Sequence, residues 1–311
     1  MKPYLKENHS VLVLNATYFA QDYEDTDCVE FDGLSKISKY IFISLSLICG
    51  IWAVGGNLAL LAAFYRSKAV YGHITNYFVV SLVVSDLMIG LLMTPMYICY
   101  SVDLDPPWLI KLEGFLWILT VTATTHSLSA VSVDRLISIL YPLRYSLIVT
   151  ERRCRVVIAL IWLDGLVFGF PRLILDDFQK LERLWVACSI VTVAIPILIM
   201  SSCYGKIFTI VKKQNGRKLA NTFTTGKHLR NRKAAITIGI IVCLFIITFI
   251  PSTVVYFMLL FEKDRCKELE LNDVWLWVAL VSFSHSAINP WVYGLRYRAL
   301  RKALREQVKI H

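Results

Sequence analysis

Apolar residues run along this chain in seven long blocks, at about 39–65, 74–100, 112–140, 155–175, 185–211, 233–261 and 274–295, with short polar stretches between them. A membrane-spanning helix needs about 20 mostly apolar residues, and each block is long enough. The pattern predicts an all-α membrane protein, a seven-transmembrane helix bundle. Residues 1–38 form an N-terminal leader, 39–295 the transmembrane domain, and 296–311 a short cytoplasmic amphipathic helix and tail. Seven spans place the two chain ends on opposite sides of a bilayer, which suits a device that carries a conformational signal across it. Met1 to Asp32 is polar and acidic, with no apolar run behind a basic tip, so the first span is expected to act as the insertion signal.

Composition and charge fix the orientation. Hydrophobic residues make up 56% of the chain and charged residues 18%, whereas soluble domains run about 25% charged. Of the 33 Lys and Arg, 22 fall on the side of loops one, three and five and the carboxyl tail. The positive-inside rule makes that side cytoplasmic. Of the 23 Asp and Glu, 18 fall on the other side. The leader holds two N-glycosylation sequons, at Asn8 and Asn15, which require an extracellular leader. These features predict a multi-pass protein of the plasma membrane with its N-terminus outside. The net charge of +10 is a topology signature, and no nucleic-acid partner is expected. The six His are scattered without metal-ligand spacing, so no enzyme is expected either.

Polar residues inside the spans carry more information, because lipid makes them costly. Asn57 stands in the first span, Asp86 in the middle of the second, and Asn289 just before Pro290 in the seventh. An unpaired carboxylate at that depth costs about 2.5–3.5 kcal/mol on insertion scales. Asp86 therefore needs hydroxyls, amides, a cation or a proton.

Every span holds a signature residue in a familiar order. They are Gly56-Asn57, Leu82 and Asp86, Asp134-Arg135-Leu136, Trp162, Pro196 and Tyr204, Phe245 and Pro251, and Asn289-Pro290-Trp291-Val292-Tyr293. On these the chain resembles a rhodopsin-like (class A) G-protein-coupled receptor over residues 39 to 309. Tyr141-Pro142-Leu143-Arg144-Tyr145 and Gly294-Leu295-Arg296-Tyr297-Arg298 look most like amine and adenosine receptors. The resemblance implies a receptor that passes an extracellular ligand signal to heterotrimeric G proteins, with an amine-like or nucleoside-like small molecule as ligand. A peptide receptor and a receptor-like scaffold without signalling are the alternatives. G-protein coupling and activation are assigned to Asp134, Arg135, Leu143, Tyr204, Pro251, Asn289, Pro290 and Tyr293. Asp134 next to Arg135 makes a local charge pair that can hold Arg135 inward. Proline removes a helix hydrogen bond, so Pro196 and Pro251 give spans five and six a place to pivot.

The chain also departs from the family pattern. The Cys that usually opens span three, paired to the second extracellular loop, is Ile110, and residues 175–184 hold no Cys. Asn231 stands where an acidic residue often locks Arg135, and Phe249 where a Trp is usual. Trp117 replaces the amine-binding Asp and Phe283 the retinal-binding Lys. The family pocket positions are Trp117, Cys188, Ser189, Thr192, Phe249, Tyr256, Trp277 and Phe283, a neutral aromatic lining of the kind small molecules use. No cofactor is expected beyond a sodium ion, surrounded by Asp86, Thr124, Ser286 and Asn289. Cys28 and Cys266 are the two plainly extracellular thiols and are expected to pair, with Cys99 as the competing partner for Cys28. Residues 296–309 carry apolar and basic faces at helical spacing and are expected to lie on membrane lipid. Thr222, Thr224 and Thr225 are the candidate phosphorylation sites for arrestin.

Overall fold

The computed structural model describes residues 33–66, 76–175, 178–218, 226–262 and 264–296. Among them lie seven long helices: α1 (Lys36–Arg66), α2 (Asn76–Met88, continuing through Thr94–Ser101), α3 (Pro107–Leu140), α4 (Glu151–Gly169, continuing through Pro171–Ile174), α5 (Phe178–Ser189, continuing through Ile195–Lys218), α6 (Gly226–Phe261) and α7 (Arg265–Arg296). α3 is the most enclosed, packed against α2, α4, α5 and α6, and α7 closes the bundle between α1 and α6. Asn8, Asn15 and Cys28, the three threonines from Thr222 to Thr225, and the tail helix beyond Arg296 lie outside the described residues.

Among the described residues, six helices are long and apolar enough to cross a membrane. α7, read from sequence as the seventh span, is not one of them by apolarity. Glu268, Glu270 and Asp273 occupy its outer end, and His285, Ser286 and Asn289 turn inward along its length. It takes its place by packing. The bundle as a whole is inverted relative to a water-soluble core. Asn57, Ser85, Asp86, Thr122, Ser132 and Asn289 are buried, while Ile41, Leu45, Ile51, Leu163, Leu198, Ile247 and Val254 are exposed. Such an apolar belt is stable only against lipid, and the chain is a multi-pass membrane protein.

Helix ends differ from the apolar boundaries because caps, not hydropathy, set them. α3 starts at Pro107, a residue that fits the first turn because its missing N–H has no intrahelical partner there. The Thr150 side chain caps α4 by accepting from the Arg153 N–H at 3.4 Å. Between α2 and α3, Asp103 adopts φ +60°, and its carboxylate receives Lys39 Nζ from the start of α1 at 2.6 Å. α2 and α5 each contain a π-helical turn, Ile89–Met93 and Ile190–Ala194. Each precedes a proline, Pro95 or Pro196, that cannot donate to the turn before it.

Candidate functional site

Two motifs from the ends of the chain meet at one contact. Pro290 lies inside α7, so the carbonyl four residues earlier, on Ser286, loses its helical donor. Asn57 Nδ2 of α1 donates to that carbonyl at 2.9 Å and to Ala53 O at 2.8 Å. Gly56 makes the approach possible: a Cβ there would stand 2.8 Å from Pro290 Cγ and 2.9 Å from its Cβ. α2, α3 and α4 are joined similarly. Trp162 Nε1 donates to Ser81 Oγ at 3.1 Å, and Ser81 and Ser127 share a hydrogen bond at 3.0 Å.

Beside the Pro290 contact sits the central polar cluster. Asp86 is 0% exposed. Ser286 Oγ donates to Asp86 Oδ1 at 2.7 Å, and Asn289 Nδ2 donates to Oδ2 at 2.9 Å. Thr124, expected in the same shell, instead pairs with Ser85 at 3.1 Å. Ser85 also reaches back to the Leu82 carbonyl, so its hydroxyl points along α2 towards α3, and α3 meets Ser85 rather than Asp86. The sequence reading missed His285, whose Nε2 is 3.7 Å from Asp86 Oδ1.

At the inner end of α3, Arg135 folds onto its neighbour. Its Nη2 donates to Asp134 Oδ2 at 2.5 Å and its Nε to the same oxygen at 3.0 Å. Tyr145, in the turn after α3, donates its hydroxyl to Asp134 Oδ1 at 2.6 Å. Both Asp134 oxygens are thus engaged, and Arg135 is 7% exposed. Leu143 in the same turn is 94% exposed. Tyr204 covers Gly239 of α6, where an added Cβ would meet the ring at 3.0 Å, and Tyr293 is buried on α7. Pro251 sits within an unbroken α6.

In the outer half, a small, half-open cavity is lined by Trp117, Trp185, Cys188, Ser189, Thr192, Phe249, Ser252, Thr253, Tyr256 and Trp275 together with Ile118, Val121 and Val193. Trp277 is not among them. It packs edge-on against Phe42 of α1, with ring centroids 5.5 Å apart, and Trp275 takes the inward place, 4.9 Å from Trp117. Two residues turn a helix by about 200°, so only one of the pair can face the cavity. Phe283 lies beside the lining, in contact with Trp117 and Tyr97. Four of the cavity hydroxyls donate to carbonyls of their own helices, and the buried Trp185 Nε1 has no acceptor among the described residues. Ser189 donates to Trp185 O, Thr192 to Cys188 O, and Ser252 and Thr253 to Phe249 O. The Ser252 oxygen also accepts from Ser282 at 2.8 Å, which leaves Ser189, Thr192 and Thr253 as the acceptors.

Behind Trp275 runs a chain that sequence reading did not find. Trp275 Nε1 donates to Tyr97 Oη at 3.0 Å, and Tyr97 donates to the buried Glu113 carboxylate at 2.7 Å. Arg172, from the outer end of α4, acts on Glu113 electrostatically and lies flat over Gly114, where a Cβ would meet its Nε at 2.6 Å. Ile110, the residue in the place of the usual Cys, is buried one turn away. Cys99 is a free thiol and Cys266 is disulfide-bonded.

Known proteins arrange themselves around these features. The chain is 29% identical over 300 residues to adenosine receptor A2b of Gallus gallus, covering 85% of this chain and 86% of that protein. It is 27% identical over 298 residues to the histamine H2 receptor of Cavia porcellus, covering 89% and 80%. With adenosine receptor A2a of Canis lupus familiaris it shares 25% over 312 residues, covering 89% and 74%. The pattern of the 7 transmembrane receptor (rhodopsin family) matches residues 56–293, from the glycine against Pro290 to the buried Tyr293, and the chain belongs to that family.

Proposed function

We propose that this G-protein-coupled receptor reads a small extracellular molecule bearing N–H donors, amine-like or nucleoside-like, and passes the signal to a heterotrimeric G protein. The observation that carries the reading is the buried Asp134–Arg135 pair with Tyr145, at the opposite end of the bundle from an aromatic cavity. Its opening would release a cation towards a docking protein, beside the exposed Leu143. The Ser189, Thr192 and Thr253 oxygens, their protons already committed, favour a ligand that donates, Trp185 Nε1 offers it one donor, and the aromatic walls favour a flat or cationic one. The relatives named for adenosine and histamine belong to the same two ligand classes.

In this reading the receptor sits in the plasma membrane with its leader outside, glycosylated at Asn8 and Asn15. The bonded Cys266 pairs with Cys28, residues 296–309 lie on inner-leaflet lipid, and arrestin reads phosphates on Thr222, Thr224 and Thr225. Catalysis forms no part of it. The test is a G-protein activation panel in cells, challenged with amine and nucleoside libraries, with Arg135→Ala as the silent control. If no G protein responds to either library or in the absence of ligand, the scaffold reading replaces this one.

A further inference from the structure

Among the described residues, the indole N–H of Trp185 is buried and meets no acceptor. The side chain is 7% exposed and lines the outer cavity from α5. A buried tryptophan N–H ordinarily finds a partner, because leaving it bare costs more than the hydrogen bond would gain. The ring is braced against Tyr256 of α6, with centroids 5.5 Å apart. Ser189 stands one helical turn further along α5 and donates its hydroxyl to the Trp185 carbonyl at 2.9 Å. Thr192 follows on the same wall and donates to Cys188 O at 2.7 Å. Down this face of α5 the cavity therefore meets one donor, then two oxygens whose protons are already committed.

No residue lining the cavity carries a charge. Two carboxylates stand behind its walls, and neither lines it. Glu113 accepts from Tyr97 behind Trp275 and feels Arg172. Asp164 of α4 acts on Cys188 from outside the lining and faces His126 at 3.7 Å. An ammonium group in the cavity would give up its water without meeting a counter-charge, a loss that aromatic faces do not make good. A neutral, flat heterocycle with a ring acceptor beside an N–H donor answers the whole α5 wall. We infer that Trp185 is a specificity-determining residue of the cavity, its N–H donating to a ring nitrogen or carbonyl of such a ligand while Ser189 or Thr192 accepts the adjacent N–H. This rests on the ligand reading given above and narrows it to an uncharged amino-heterocycle edge.

The test is saturation of three small probes, followed by the thermal unfolding midpoint of the full-length receptor in lipid nanodiscs. 2-Aminopyridine has the acceptor and the donor, aniline keeps the donor alone, and benzylammonium is a cation without a ring acceptor. The pH is set so that the first two are neutral. The wild type is expected to bind 2-aminopyridine about tenfold tighter than aniline, the ratio that one buried hydrogen bond sets, and benzylammonium least well. Trp185→Phe keeps an aromatic ring against Tyr256 and removes the N–H. It is expected to bind both neutral probes equally, with the affinity of aniline for the wild type. Equal binding of 2-aminopyridine and aniline by the wild type, no binding of either, or tighter binding of benzylammonium overturns the inference without any variant. A folded Trp185→Phe receptor that still prefers 2-aminopyridine tenfold also overturns it, because another donor then holds the ring nitrogen. The assay contains no G protein, so a silent activation panel would strike the function proposed above and leave this result standing.

Discussion

Replacing Gly56 by Ala tests the contact that joins the first and last helices. The new methyl would lie 2.8 Å from Pro290 Cγ and 2.9 Å from Pro290 Cβ. Ordinary carbon contacts begin near 3.5 Å, so one helix must retreat by roughly 0.7 Å. A proline ring cannot swing aside as a Leu or Lys end would. Overpacking of this kind costs about 1–3 kcal/mol. The retreat also stretches the Asn57 bond to the Ser286 carbonyl, now 2.9 Å, which no other helical donor replaces. Gly55 provides the control, since a Cβ there has nothing within 4 Å. Gly55→Ala should gain up to about 1 kcal/mol of helix propensity. Thermal unfolding of the two variants in the same nanodiscs should put Gly56→Ala below the wild type and Gly55→Ala level with it or above. Equal midpoints for the two alanines would refute the close approach of α1 to Pro290.

The other expectations concern the two ends of the bundle. Trp275→Ala should abolish ligand binding while Trp277→Ala leaves affinity within a few-fold of wild type and lowers stability, as judged by radioligand saturation beside unfolding. Tyr97→Phe removes the donor to Glu113 and the acceptor of Trp275, and should cost about 1–3 kcal/mol in unfolding; a neutral result would show that the Glu113 carboxylate is satisfied without it. Asp134→Asn weakens charge-assisted bonds to Arg135 that contribute about 1.5–3 kcal/mol, so ligand-independent nucleotide exchange should rise by roughly tenfold or more. Tyr145→Phe should raise it less, because Arg135 keeps its partner.

Helix number and order were legible because lipid demands long apolar runs, and the order of signature residues named the family before any contact was known. Helix phase was harder to read. In a soluble helix the apolar face marks the interior, but here Trp275 and Trp277 are equally acceptable to lipid and to core. Only the packing of Phe42 against one of them decides. α7 was read from an apolar block at 274–295 that proves less apolar than the other six, and Asn289-Pro290 marked it independently. His285 looked like one of six scattered histidines because its partner, Asp86, is 199 positions away in sequence and no metal spacing links them. Arg172 and Glu113 stand far apart in sequence near two helix ends, and only packing buries both.

The Arg172 contact bears on how the receptor is made. In its family the usual link from the start of the third span to the second extracellular loop is covalent and waits for oxidation. Here Arg172 of α4 packs over Gly114 at the outer end of α3 and acts electrostatically on the buried Glu113, with Ile110 in the position of the thiol. Those contacts form as soon as the helices pack, without an oxidant or an isomerase. A mild reductant would cut the bridge at Cys266, yet leave this contact between α3 and α4 standing. The joining of α3 to α4 and the tether at Cys266 are thus separable by redox chemistry: reduction acts on the second and leaves the first.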